Sequence, residues 1–124
     1  MNQVLAIAIG GALGSVMRYW VSTGVYGFLG RGFPYGTLVV NVLGCLAMGM
    51  LFVLLVERAS DNTVLRAGVL IGVLGGFTTF SSFSIETFNL IEQGAVLKAV
   101  ANMATSLFVC LGATWLGVIL ARQI

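Results

Sequence analysis

The stretch GGFTTFSSFS, residues 75–84, sets two glycines, five hydroxyls and three phenylalanines in the middle of an apolar run. As one straight helix that run, residues 64–90, would reach roughly 40 Å, against a hydrocarbon core of roughly 30 Å. A break across residues 75–79 resolves the mismatch. Irregular backbone persists at membrane depth only where protein buries it or where it lines a wet cavity, so the broken helix points to an ion-related site.

The surroundings support a membrane reading. Of 124 residues, 59% are hydrophobic and 8% charged, and the mean hydropathy is +1.06, outside the range of soluble domains. Four apolar spans, about residues 4–26, 35–56, 64–91 and 95–121, make a single four-helix transmembrane domain over residues 1–124. The expected fold is an all-α membrane protein whose third helix is broken mid-membrane. No soluble domain is left to carry a separate function. The opening MNQVLAIAIGG lacks a basic segment, so it reads as a retained helix and not as a cleaved signal, and the mature chain is expected to begin at Met1.

Chemistry of several kinds has no residues to rest on. The chain has no His, no phosphate-cradling glycine loop with Lys, and no nucleophile with a base, so neither an enzyme nor an ATP-driven pump is expected. Transport, if present, is passive or ion-coupled, and nucleic acid is not an expected partner. Cys45 and Cys110 have no His or Cys neighbour at metal spacing and read as small buried thiols.

In the first span Gly10 and Gly14 have the small-xxx-small spacing that lets another backbone approach. Arg18 lies about two-thirds along it, where an unpaired charge costs about 2.5–3.5 kcal/mol. It is either a snorkelling anchor or a fixed positive charge in an aqueous vestibule. The loop before Gly36 contains the only proline, Pro34, and reads as a tight connection. In the second span Asn41 is the one strongly polar interior side chain; it serves an interhelical hydrogen bond or offers an NH₂ donor to a permeating anion. Ser60, Asp61 and Asn62 offer capping oxygens to the third helix.

Gly68, Gly72 and Gly76 recur every four residues as a packing seam, and a lone copy of the chain is expected to leave Gly68, Gly72 and the hydroxyl-rich break unburied. Beyond the break Phe80, Phe83, Ser84 and Thr87 share one helical face. Glu86 is a candidate gate, or a mouth residue that needs no explanation. Gly94 is a helix C-cap candidate. In the fourth span Asn102, Ser106, Cys110 and Thr114 form a polar stripe, which glues helices or lines a wall opposite the phenylalanines. Basic residues scarcely favour one orientation: Arg58, Arg66 and Arg122 fall on one side, Arg31 and Lys98 on the other. Insertion both ways makes an antiparallel dimer plausible.

GGFTTFSSFS, with Asn41 and Gly44 in the second span and Gly14 and Arg18 in the first, resembles the Fluc (CrcB) family of fluoride channels over the whole chain. The resemblance implies a dual-topology homodimer in the cell (inner) membrane, with two passive fluoride pathways, a central structural sodium ion, and efflux that protects against fluoride toxicity. It implies that Phe80 and Phe83 flank the fluoride path and that Asn41 is its polar pore residue. Ser84 is counted with them, and Asn102, Ser106 and Cys110 match a fourth-helix polar track. The family pattern has Tyr and Ser at the first and last of these positions, and Thr at position 82. Backbone carbonyls of Gly75 and Thr78 from both copies would hold the sodium. The physics agrees, because fluoride is small and strongly hydrated: amide N–H, hydroxyls and the positive rims of phenyl rings can replace its water without holding it too tightly.

Two other readings compete. A small multidrug exporter has this size, but needs a carboxylate in its first helix, and this first span has none. A structural membrane subunit would use the glycines and the polar stripe for packing alone.

Overall fold

The structure, a computed structural model, describes residues 2–59 and 61–124. All regular structure among them is helical. Four stretches are long and apolar enough to cross a membrane: Gln3–Leu29, Tyr35–Arg58, Thr63–Glu92 and Val96–Gln123. The first is one helix, α1 (Gln3–Leu29), begun by the Asn2 side chain accepting from Leu5 N at 2.7 Å and ended by Gly30, whose φ is 77°. Only glycine takes that conformation without strain, so the chain can turn sharply here.

The second span is α2 (Tyr35–Phe52), continued by a π-helical segment, Val53–Arg58. The third has four parts: α3 (Thr63–Arg66), a π-helical stretch Ala67–Leu74, one turn of α4 (Gly75–Phe77) and, after a break, α5 (Phe80–Glu92). Asn62 caps it by accepting from Leu65 N at 2.9 Å, while the expected cap residue Ser60 lies outside the described residues. At Gly94, φ is 78°; Gly94 N donates to Ile91 O and Ala95 N to Leu90 O, closing α5 with the paired bonds of a Schellman turn. The fourth span is α6 (Val96–Gln123).

The break is shorter than expected. Gly75 and Gly76 stay helical, and only Thr78 and Thr79 are extended, with φ/ψ of −83°/157° and −150°/119°. Glycine's freedom is therefore not what breaks the helix.

The spans pack as two parallel pairs. Along α1, a Cβ on Gly10 would collide with Gly68 O and one on Gly14 with Val73 O, while a Cβ on Gly76 would come within 2.7 Å of Gly11 O. Glycines on both sides thus bring the two backbones into contact. This corrects one expectation in part: within a single chain α1 and α2 already bury Gly72 and Thr79 and half-bury Gly68, while Ser81 and Ser84 of the break stay exposed. Between α2 and α6, Gly49 sits on Thr114 O and Gly117 on Leu46 O. The outside stays apolar, with Trp20 67%, Phe108 70% and Trp115 70% exposed, a surface suited to lipid and not to water.

Candidate functional site

Asn41 organises the break. Its Oδ1 accepts from Thr79 N at 2.8 Å and its Nδ2 donates to Thr79 O at 2.9 Å, so one side-chain amide satisfies both faces of an interrupted backbone. A buried peptide group left unpaired would cost about 1–3 kcal/mol per atom, which makes this clasp a condition for the break. Gly44, one turn along, has a Cβ position already filled by the Thr78 methyl. The N–x–x–G spacing in α2 therefore both pins the break and makes room for it.

Several hydroxyls are used by the break itself. Thr78 Oγ1 donates to Leu74 O at 2.9 Å, Thr79 Oγ1 caps α5 by accepting from Ser82 N at 3.1 Å, and Ser81 Oγ lies 3.4 Å from Thr79 Oγ1. The carbonyls of residues 75–78 lose their helical donors as a result, those of Gly75 and Thr78 among them. In a continuous helix Gly75 O would accept from Thr79 N–H and Thr78 O from Ser82 N–H; those donors turn to Asn41 and to Thr79 Oγ1. Gly75 is exposed and Thr78 half-buried. Carbonyl oxygens released at membrane depth, with no group of three or more His, Cys, Asp or Glu among the described residues, fit a hard monovalent cation such as sodium better than a transition metal.

Three cavities surround this region and share walls. The largest, about 490 Å³, is lined by Asn41, Thr78, Thr79, Phe80 and Phe83 on one side and by Ser106, Cys110 and Thr114 of α6 on the other. The ring centroids of Phe80 and Phe83 are 5.4 Å apart at 49°; Phe80 is 78% exposed and Phe83 half-buried. A second cavity, about 260 Å³, is polar and holds Arg18, Ser15, Ser22, Thr37, Ser82 and Glu86. Thr79 borders both. A third, about 370 Å³, opens beside Arg31 and Lys98, and shares Tyr26 and Glu86 with the second.

Glu86 therefore stands between the outer and inner polar cavities. Thr37 Oγ1 donates to it at 2.7 Å and Tyr26 Oη at 3.1 Å, and it makes no ion pair among the described residues. Sequence reading missed both partners. The only signal was a tyrosine and a threonine flanking the same short loop. Arg18 lines the inner polar cavity, also without an ion pair among the described residues. At the mouth Arg31 lies 4.5 Å over the Tyr26 ring, and Lys98 Nζ donates to Gly32 O at 3.2 Å.

Two residues of the expected path lie elsewhere. Asn102 is buried and donates to Thr87 Oγ1 at 2.9 Å, while Thr87 Oγ1 donates to Phe83 O at 2.7 Å, a strut between α6 and α5. Ser84 is exposed and borders none of the three cavities. The polar stripe of α6 thus divides: its first residue packs, and the next three face the phenyl rings.

The chain matches, over residues 5–118, the family described as CrcB-like protein, Camphor Resistance (CrcB). It belongs to the CrcB family. This CrcB-family chain is 52% identical over 123 residues to the fluoride-specific ion channel FluC of Coxiella burnetii, covering 98% of this chain and 99% of that protein. It is 48% identical over 124 residues to the FluC of Geobacter metallireducens, the full length of both. With the FluC of Methylococcus capsulatus it shares 50% identity over 122 residues, but spans only about half, 54%, of that relative's length. These CrcB relatives bear the names of ion channels and not of enzymes.

Proposed function

We propose that this chain forms a passive, fluoride-selective channel in the cell (inner) membrane, working as an antiparallel dual-topology homodimer. The observation that carries the reading is the membrane-depth cavity in which the Asn41-pinned break, two phenyl rings and the Ser106 and Cys110 side chains meet. Full-length identity near one half to proteins named fluoride-specific ion channels supports the choice of anion.

The route runs through the shared walls. Arg31 and Lys98 concentrate anions at the mouth, Glu86 gates passage past its two hydroxyl partners, and Arg18 offsets the ion's charge in the inner polar cavity. Beyond Thr79 the ion exchanges water for hydroxyl hydrogens, the second N–H of Asn41 and the rims of Phe80 and Phe83. None of these is a full positive charge, so the ion can leave. Flux follows the gradient, and efflux protects a cell whose internal fluoride is high. The exposure of Phe80 and Gly75 supports a second copy closing the open side. The freed carbonyls of Gly75 and Thr78 from both copies would hold a structural sodium ion, which supplies charge to otherwise unsatisfied oxygens.

Purified protein in liposomes tests the function directly. It is expected to release fluoride and retain chloride; a folded, reconstituted protein with no fluoride flux refutes the proposal and leaves the structural-subunit reading. A proton-coupled cation exporter is disfavoured, since α1 carries no acidic residue.

A further inference from the structure

The second span and α6 pack as parallel helices. Gly49 meets Thr114, and Glu57 pairs with Arg122 at a sequence separation of 65. Cys45 and Cys110 lie one turn before Gly49 and Thr114 on these two helices. Both thiols are free and half-buried, they neighbour one another, and both line the phenyl-bordered cavity. Apart from the Asn41 amide, the rest of that wall is apolar or hydroxylic, with Met103, Leu107 and Leu111 and no carboxylate or imidazole. A hard ion finds too few ligands there, and a tetrahedral zinc site is two ligands short.

Two thiols facing each other on parallel helices suit ions that accept linear, two-coordinate sulfur. We propose that Cys45 and Cys110 form a binding site for a soft, thiophilic d¹⁰ metal ion, such as Hg(II), Ag(I) or Cu(I), in the wall of this cavity. The ligand is the thiolate, so each sulfur loses its proton as its metal bond forms. With Hg(II) the product is a neutral bis-thiolate and two protons are released. With Ag(I) or Cu(I) two protons are again released and the complex carries one negative charge, which would repel an anion in the same cavity. A metal bridge needs the sulfurs roughly 4.6 Å apart, about twice a metal–thiolate bond, a wider spacing than a disulfide allows. Neither helix is cut by the break, so the two ligands are presented on rigid elements.

Purified full-length protein titrated with Hg(II), followed by ultraviolet charge-transfer absorbance and by proton release, is expected to take up one ion and release two protons per chain. The bound ion should resist a monothiol competitor roughly a hundredfold better than in Cys45→Ala or Cys110→Ala, because the second thiolate acts at high effective concentration. Uptake of two ions per chain, or equal competition in all three proteins, overturns the site. Since either substitution can disturb the helix contact, the unmutated protein is also treated with a bimane reagent that fluoresces only after alkylating two thiols. A Cys45–Cys110 crosslink within one chain, located by peptide mass, is expected; separately alkylated cysteines alone overturn the pairing. In liposomes Hg(II) should slow fluoride release and a dithiol should restore it, and unslowed flux through metal-loaded protein removes the site from the ion's route. This last readout rests on the fluoride reading: a chain that binds Hg(II) in this way but never carries fluoride refutes that reading and leaves the metal site standing.

Discussion

Asn41 and the phenylalanines act in different ways on the same cavity, and substitution separates them. Asn41 spends both ends of its amide on Thr79. Asn41→Ala leaves an N–H and a C=O unpaired at membrane depth, so unfolding in detergent should become easier by about 2–6 kcal/mol. Unchanged thermal stability would show that the clasp contributes nothing. Phe80 and Phe83 hold no such contact, and Phe→Ile keeps bulk while removing the ring quadrupole. Each substitution should lower fluoride flux by about tenfold or more, about 1.4 kcal/mol, in protein that still assembles. If Phe80→Ile and Phe83→Ile both conduct at parental rates, the ring-edge mechanism is wrong. Sequence alone showed that Asn41 and Glu86 need partners, because polar atoms in lipid always do. It could not name them, since Thr79 lies 38 residues from Asn41, and Thr37 and Tyr26 lie 49 and 60 from Glu86. Those pairings exist only once the spans are packed.

At the scale of helices, the seam between α1 and the third span depends on missing side chains. A Cβ at Gly14 would meet backbone atoms of Val73 and Phe77, which cannot rotate away, whereas one at Gly24 meets nothing within 4 Å of its own chain. Gly14→Ala should cost about 1–3 kcal/mol through forced separation, and Gly24→Ala should be neutral or slightly stabilising. Equal effects at both positions would mean that the backbones are not in contact. The seam was legible from the four-residue recurrence of glycine. The place of the break was legible only approximately, because Gly75 and Gly76 carry the breaking propensity while Asn41, on another helix, decides which peptide leaves the ladder. The π-helical stretch Ala67–Leu74 had no signal in hydropathy or spacing. The same break sets a test of the cation: replacing sodium by a bulky organic cation throughout purification should reduce flux, since Gly75 O and Thr78 O would lose the charge that compensates them. Undiminished flux would remove sodium from the account.

Over the whole molecule, charge is balanced between the two ends. The end bearing Glu57 and Arg122 holds three basic residues, Arg58, Arg66 and Arg122, the last of them paired with Glu57 at 2.6 Å. The opposite end holds two, Arg31 over an aromatic ring and Lys98 donating to a carbonyl. Orientation by basic residues then has little to act on, and the two insertions should be comparably populated. The proposed assembly supplies a second reason for both orientations, because the phenyl-bordered cavity is open beside Phe80, and an inverted copy meeting it there would bring two breaks together about a two-fold axis. Arg31 is exposed in the first loop, which makes it a reporter of sidedness. In an Arg31→Cys variant that also carries Cys45→Ala and Cys110→Ala, a membrane-impermeant thiol reagent applied to intact cells should label about half of the protein, with the remainder labelled only after the membrane is opened. Labelling confined to one side would fix a single orientation and refute the proposed dual topology.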